Sequence, residues 1–233
     1  MVNQIKALAF DFGGTIDTPF LHWMKVYIQV YNSHLHLNLT SDNFRDAYVH
    51  AEREMEHLQL VKPTDGLLQT QRYKTRLQFE YLAKQGMIAS NLVDIYTEQA
   101  AQLVTTYSQN QVQANKPVLQ QLAAHYPLLL VSNFYGNLLQ IIADSGILPL
   151  FRSVTDSTIV GIRKPDPAIW QLAISELGYQ PKEVMVIGDS YKNDIVPALS
   201  LGCPVVHGCS SENDRVPGIP TIQSLQELPS LLL

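Results

Sequence analysis

Three short apolar runs in this 233-residue chain each deliver a side chain able to do chemistry. Ile5-Lys6-Ala7-Leu8-Ala9-Phe10 leads into Asp11 and the turn Asp11-Phe12-Gly13-Gly14-Thr15. Pro127-Leu128-Leu129-Leu130-Val131 leads into Ser132 and Asn133, and Val184-Met185-Val186-Ile187 leads into Gly188 and Asp189. Lys164, before Pro165, adds an ammonium, and Asp194, in the same segment as Asp189, adds a further carboxylate. Nearly unbroken apolar runs suit parallel strands covered on both faces, and such sheets bind ligands outside the strand carboxyl ends. Taken singly, Ser132 reads as a turn residue, Lys164 as a solvated loop lysine and Asp194 as first-turn helix charge. Taken together, they read as one site at a sheet edge.

In chain order these residues resemble the four motifs of the haloacid dehalogenase-like (HAD) hydrolase superfamily. Those motifs are an Asp nucleophile after strand one, a Ser or Thr after strand two, a Lys, and an acidic pair in a Gly-Asp segment. The resemblance runs from Asp11 to Asp194 and implies a Mg²⁺-dependent hydrolase, a phosphatase of small phosphorylated metabolites that acts through an aspartyl-phosphate. It assigns catalysis to Asp11, Lys164 and Ser132, and substrate binding to Ser132, Asn133, Gly14 and Lys164. The metal falls to Asp11, the carbonyl of Gly13, Asp189 and Asp194, with Asp194 either behind the direct ligands or binding through water, and holding Lys164 in place. The chemistry is coherent: a transferring phosphoryl group carries charge that must be neutralised and aligned before a carboxylate can attack it. Mg²⁺ takes oxygen ligands, and Asp11 with Asp189 supplies them without His or Cys.

Gly13 departs from the pattern. Phosphatases of this superfamily place a second Asp there, which protonates the leaving oxygen and later activates water. Acid–base groups contribute on the order of 10²–10⁴-fold in rate, so the missing carboxyl favours acyl or aryl phosphates, whose leaving groups need less help. Asp17 leads the stand-ins, ahead of His22, His34, His36, His50 and His57, although spacing aims none of them at Asp11. The alternatives are hydrolysis of a phosphonate or other non-phosphate bond on the same scaffold, or metal and phosphate binding without turnover. Phosphonate cleavage would call on an inserted lysine as Schiff-base amine, and Lys25, Lys62, Lys74 and Lys84 carry no mark of that role. Haloacid dehalogenation is disfavoured because those enzymes lack the acidic pair kept here.

A net charge of −5 gives no sign of nucleic-acid binding. Arg72, Lys74 and Arg76 alternate at a spacing that spreads them around a helix as solvated charge. The first apolar run is too short for a membrane span or a signal segment, Cys203 and Cys209 are too few for a disulfide framework, and a cytoplasmic protein is expected. The partner is a small phosphorylated molecule, and monomer versus homodimer stays open.

The elements that must position these groups follow from the patterning. The expected fold class is α/β, a doubly wound, Rossmann-like parallel sheet with an inserted all-helical cap domain. Residues 1–16 and 113–233 form the core and 17–112 a cap of the type inserted after the first motif, with a boundary near Lys116-Pro117. Four cap helices are expected: 19–36, 40–57, 67–84 and 90–107. Their aromatics Trp23, Tyr27, Tyr31, Phe44 and Tyr48 read as core. Beyond Pro117, helices are expected at 136–146, 167–178 and 194–202, and further strands at 204–207 and 220–222.

Overall fold

The structure, a computed structural model, describes residues 5–233; residues 1–4 of the expected core segment lie outside the described residues. Six parallel strands form one sheet: β1 (Ala7–Phe10), β2 (Leu128–Ser132), β3 (Phe151–Asp156), β4 (Val184–Gly188), β5 (Val205–Gly208) and β6 (Thr221–Ile222). Their order is β3-β2-β1-β4-β5-β6. The chain winds outward from β1 in both directions, so the carboxyl ends of β1, β2 and β4 lie side by side.

Strand periodicity sends alternate residues to opposite faces. Leu8 and Phe10 of β1 join Leu128 and Leu130 of β2 in one apolar cluster, while Ala7 and Ala9 join Leu129 and Val131 in another. The first is covered by the end of α4 (Val93–Ala123), through Val118, Leu119 and Leu122, and by α5 (Leu138–Asp144). α6 (Ser157–Val160) follows β3 directly. The second cluster is covered by α7 (Ala168–Glu176), whose Trp170 is fully buried, and by α8 (Val196–Ser200). α9 (Leu228–Leu232) closes the chain against the first cluster. Burial on both faces explains why the inner strands read as continuous apolar runs.

The inserted helices are α1 (Trp23–Leu35), α2 (Ser41–His57) and α3 (Leu67–Lys84), which pack with the first half of α4 around Tyr27, Tyr31, Phe44, Phe79 and Val104. Thr40 opens α2 with a capping box to Asn43. Two expectations need correction. The last inserted helix does not stop near Tyr107 but runs 31 residues to Ala123, through Pro117. Val112, Val118 and Leu119 bury against the sheet, and Asn115 Nδ2 donates to the Ile16 carbonyl at 2.9 Å; together these hold the helix across the lost hydrogen bond at proline. The expected boundary at Lys116-Pro117 therefore falls inside a continuous helix. The strand β3 had no expected counterpart, because as an edge strand it carries the exposed Arg152 and a polar end. The helix expected from Asp194 is preceded by a π-helical turn, Tyr191–Ile195, and Pro197 sits in the first turn of α8. Among the described residues no helix is long and apolar enough to cross a membrane, and Cys203 and Cys209 are buried free thiols.

Candidate active site

The carboxyl ends of β1, β2 and β4 bring Asp11, Ser132 and Asp189 to one cavity of about 320 Å³, which Gly13, Asn133, Lys164 and Asp194 also line. Asp11 is buried, and its oxygens are shared among three donors. Lys164 Nζ donates to Oδ1 at 2.5 Å and Ser132 Oγ to the same oxygen at 3.2 Å. Thr15 Oγ1 lies 3.2 Å from Asp11 Oδ2 and 3.2 Å from Asp189 Oδ1, and accepts from the Asp189 N–H at 3.1 Å. Thr15 thus ties the first strand's turn to the fourth's.

Lys164 is a buried ammonium with three acceptors: Asp11, Asp194 Oδ1 at 2.6 Å and the Val131 carbonyl at 3.2 Å. Burial disfavours its charge, but the two carboxylates outweigh burial and raise its pKa. It reaches this position because Asn133 clamps its backbone from both sides, accepting from Lys164 N at 2.8 Å and donating to Lys164 O at 2.9 Å. Asn133, expected as a substrate ligand, has its amide engaged in positioning the lysine.

Asp194 also accepts from Ser190 N at 3.0 Å, an arrangement set by the π-helical turn. Burial pushes its carboxyl up to about 6, with Lys164 opposing and Asp11 adding to the rise. Burial and the charges of Asp11 and Asp194 raise Asp189 as well. Oxygens of Asp11, Asp189 and Asp194 lie within 4.8 Å of one another. The buried Asp11 and Asp194 and the half-buried Asp189, facing a single ammonium, leave an excess of negative charge, and an all-oxygen donor set of this kind fits a hard divalent cation such as Mg²⁺.

The two glycines of the turn differ. Gly14 has φ +98°, and a Cβ there would meet Asp189 Oδ2 at 2.5 Å, so only glycine lets the turn pass this close to the carboxylate. Its N–H, expected to cradle phosphate, is given to Asp17 Oδ1 at 2.7 Å; the turn folds the Asp17 carboxyl back over it. Gly13 has open space, with Trp23 Nε1 the nearest atom to a Cβ at 4.0 Å.

The cap side of the cavity holds groups that the sequence pattern did not disclose. Lys74, read as solvated, is buried on α3 and pairs with Glu52 of α2 at 2.8 Å. Burial disfavours the ammonium, but Glu52 raises its pKa overall, so it stays charged. Tyr135, from the loop after β2, donates to Glu52 at 2.5 Å and lies 4.8 Å beneath the Lys74 ammonium. Arg72 and Arg76 do form exposed pairs with acidic neighbours. Trp23 and Tyr48 line the cavity, whereas Tyr27, Tyr31 and Phe44 are core. Of the candidate acids, Asp17 and His22 line the cavity; His50 instead stacks on Tyr81 at 5.1 Å. His207 on β5 lies 3.0 Å from the Asp189 carbonyl through Nε2 and helps fix that strand end. No motif spacing pointed to it.

A doubly wound parallel sheet with carboxylates from two adjacent strand ends facing a buried lysine, beneath an inserted helical layer, defines an α/β enzyme with its site at the carboxyl edge. The family model of haloacid dehalogenase-like hydrolases matches residues 5–202, and the chain belongs to that family. A zebrafish (Danio rerio) haloacid dehalogenase-like hydrolase domain-containing protein 3 is 33% identical over 106 residues, 44% of each chain. A phosphoglycolate phosphatase of Yersinia pseudotuberculosis is 35% identical over 96 residues, 39% of this chain and 40% of that protein. The matched stretch spans about two fifths of the length of these relatives. Among solved structures, the HAD-hydrolase YfnB from Bacillus subtilis, bound to magnesium, has a TM-score of 0.63 at 18% identity, covering 98% of this chain and 99% of that one. That likeness is one of fold.

Proposed function

We propose that this hydrolase is a Mg²⁺-dependent phosphatase of small phosphorylated metabolites, with Asp11 as nucleophile. One observation carries the reading: the Asp11 carboxylate is held by Lys164, Ser132 and Thr15 at the floor of a cavity it shares with Asp189 and Asp194. Asp11, Asp189, Asp194 and the Gly13 carbonyl are the groups to hold the cation, which when bound neutralises charge on the non-bridging phosphate oxygens.

Asp11 attacks phosphorus, an oxygen–phosphorus bond forms to its carboxylate, and the bond to the leaving oxygen breaks. Water then attacks the aspartyl-phosphate and frees Asp11. Lys164 offsets charge near both the nucleophile and the phosphate, and Ser132 is placed to donate to a phosphate oxygen once it releases Asp11. Asn133 keeps the lysine in register. The phosphoglycolate phosphatases among the relatives support the class of reaction, and the substrate is a proposal at the level of a small phosphate. Lys74 speaks against phosphonate cleavage through a Schiff base, since its ion pair with Glu52 keeps the amine protonated.

The test is phosphate release with Mg²⁺ from a panel of sugar phosphates, acyl phosphates and p-nitrophenyl phosphate, for the parent and Asp11→Asn. Release by the parent alone is expected. No release by folded, Mg²⁺-bound parent would sink the reading in favour of another bond or a binding role.

A further inference from the structure

A phosphatase with glycine at position 13 needs another source for the leaving-group proton, and of the two cavity carboxyls that the nucleophile and cation site do not use, Glu52 is paired with Lys74 and accepts from Tyr135, which leaves Asp17. Asp17 is 2% exposed and lines the same cavity as Asp11 and Gly13. Its placement is fixed by two donors: Gly14 N–H reaches Oδ1 at 2.7 Å, and Trp23 Nε1 reaches Oδ2 at 3.0 Å. Trp23 Nε1 is also the nearest atom, at 4.0 Å, to where a side chain on Gly13 would begin. The same indole therefore borders both the vacant side-chain position and the Asp17 carboxyl. Each Asp17 oxygen accepts one N–H and keeps a further lone pair, so the group can carry a proton without giving up either bond.

Resting on the phosphatase reading, we infer that Asp17 is the general acid and base of this enzyme, doing from the end of the turn what a side chain at position 13 would do, with Trp23 as its positioning residue. In the first step the Asp17 carboxyl proton passes to the leaving oxygen as the phosphorus–oxygen bond breaks, giving a neutral alcohol. The carboxylate that remains is held by the Gly14 and Trp23 N–H groups. In the second step it takes a proton from the water that attacks the aspartyl-phosphate, which restores the acid and frees Asp11. Protons balance over the cycle, and no further reactant is needed.

The surroundings suit a group that must exist in both forms. Burial pushes the Asp17 carboxyl up to about 7, with the Gly14 hydrogen bond opposing and the Asp11 charge adding to the rise. The other titratable groups around it are Lys74 of α3 and Tyr107 of α4, which both feel its charge, and His22, which lines the cavity before α1. An operating value near neutrality is where acid–base catalysis is most efficient.

The experiment compares the parent, Asp17→Asn and the double variant Gly13→Asp with Asp17→Asn, on an alkyl phosphate and on p-nitrophenyl phosphate with Mg²⁺. The alkyl ester has a poor leaving group and needs the proton; the aryl ester does not. Asp17→Asn is expected to lose on the order of 10²–10⁴-fold in kcat/KM, which reports the leaving-group step, on the alkyl ester while nearly keeping kcat/KM on the aryl ester; loss of the base, needed for the shared intermediate, lowers kcat on both. Turnover of the aryl ester also shows that the variant is folded, and the double variant is expected to recover alkyl ester hydrolysis. Equal losses in kcat/KM on both esters would overturn the role and make Asp17 a structural residue; no loss in kcat/KM on either would move the acid elsewhere. Should Asp17→Asn fail to fold, the parent's pH profile decides: kcat/KM on the alkyl ester should fall as pH rises past about 7 while that on the aryl ester does not, and parallel profiles would overturn the role. A parent that releases phosphate from neither ester overturns the phosphatase reading itself, a result separate from those outcomes.

Discussion

Gly14→Ala tests the turn at its tightest point. The added Cβ would lie 2.5 and 2.6 Å from the two carboxylate oxygens of Asp189, distances no ordinary contact reaches, and the backbone there has φ +98°. A left-handed conformation costs an L-residue about 1–2 kcal/mol. Forcing a methyl into a filled site costs about 1–3 kcal/mol more. The expected destabilisation is about 2–5 kcal/mol, which for a chain of this size lowers Tm by roughly 4–20 °C. Asp189 must also move, so Mg²⁺ affinity should fall together with stability. Gly13→Ala is the control: its Cβ meets nothing closer than Trp23 Nε1 at 4.0 Å, and a change below about 1 kcal/mol is expected. Urea denaturation and Mg²⁺ titration calorimetry on both variants give the answer. If the two alanines behave alike, or Gly14→Ala binds Mg²⁺ as tightly as the parent, the account of the close approach to Asp189 is wrong.

Other perturbations reach the buried charges. Lys164→Met leaves Asp11 and Asp194 buried without their ammonium and should cost about 3–5 kcal/mol near neutrality without metal; unchanged denaturant midpoints would refute the pairing. In chelator, the raised values of Asp194 (about 6) and Asp17 (about 7) mean the folded state holds protons the unfolded chain has released. That stability is complete below the ordinary carboxylate value of 3.8 and is lost as pH rises through about 6 to 7. Scanning calorimetry should show Tm falling across that window and Mg²⁺ reversing much of the fall. Lys74→Met strands Glu52 beneath the cap and should cost about 3–5 kcal/mol, while the double variant with Glu52→Leu should recover most of it; additive losses would mean the two charges are not coupled.

What the chain disclosed by itself was whatever local pattern encodes. Continuous apolar runs announced β1, β2 and β4 because a strand buried on both faces has no polar side to show. Three- and four-residue spacing announced the inserted helices, and the order of Asp11, Ser132, Lys164 and the acidic pair announced a site before anything placed them together. The edge strand β3 stayed hidden because its sequence mixes Arg152, Ser153, Thr155 and Asp156 into the run, and the reach of α4 past Pro117 because a distant carbonyl at Ile16 and the sheet beneath decide it. The working state of the charges also waited on the fold. Whether Lys74 is solvated or buried depends on Glu52, 22 positions away in the chain, and whether the Asp17 carboxyl is exposed or enclosed depends on Trp23 and the cavity it borders. Periodicity is a property of neighbours along the chain, while burial and pairing belong to groups that only tertiary folding brings within a few ångströms of each other.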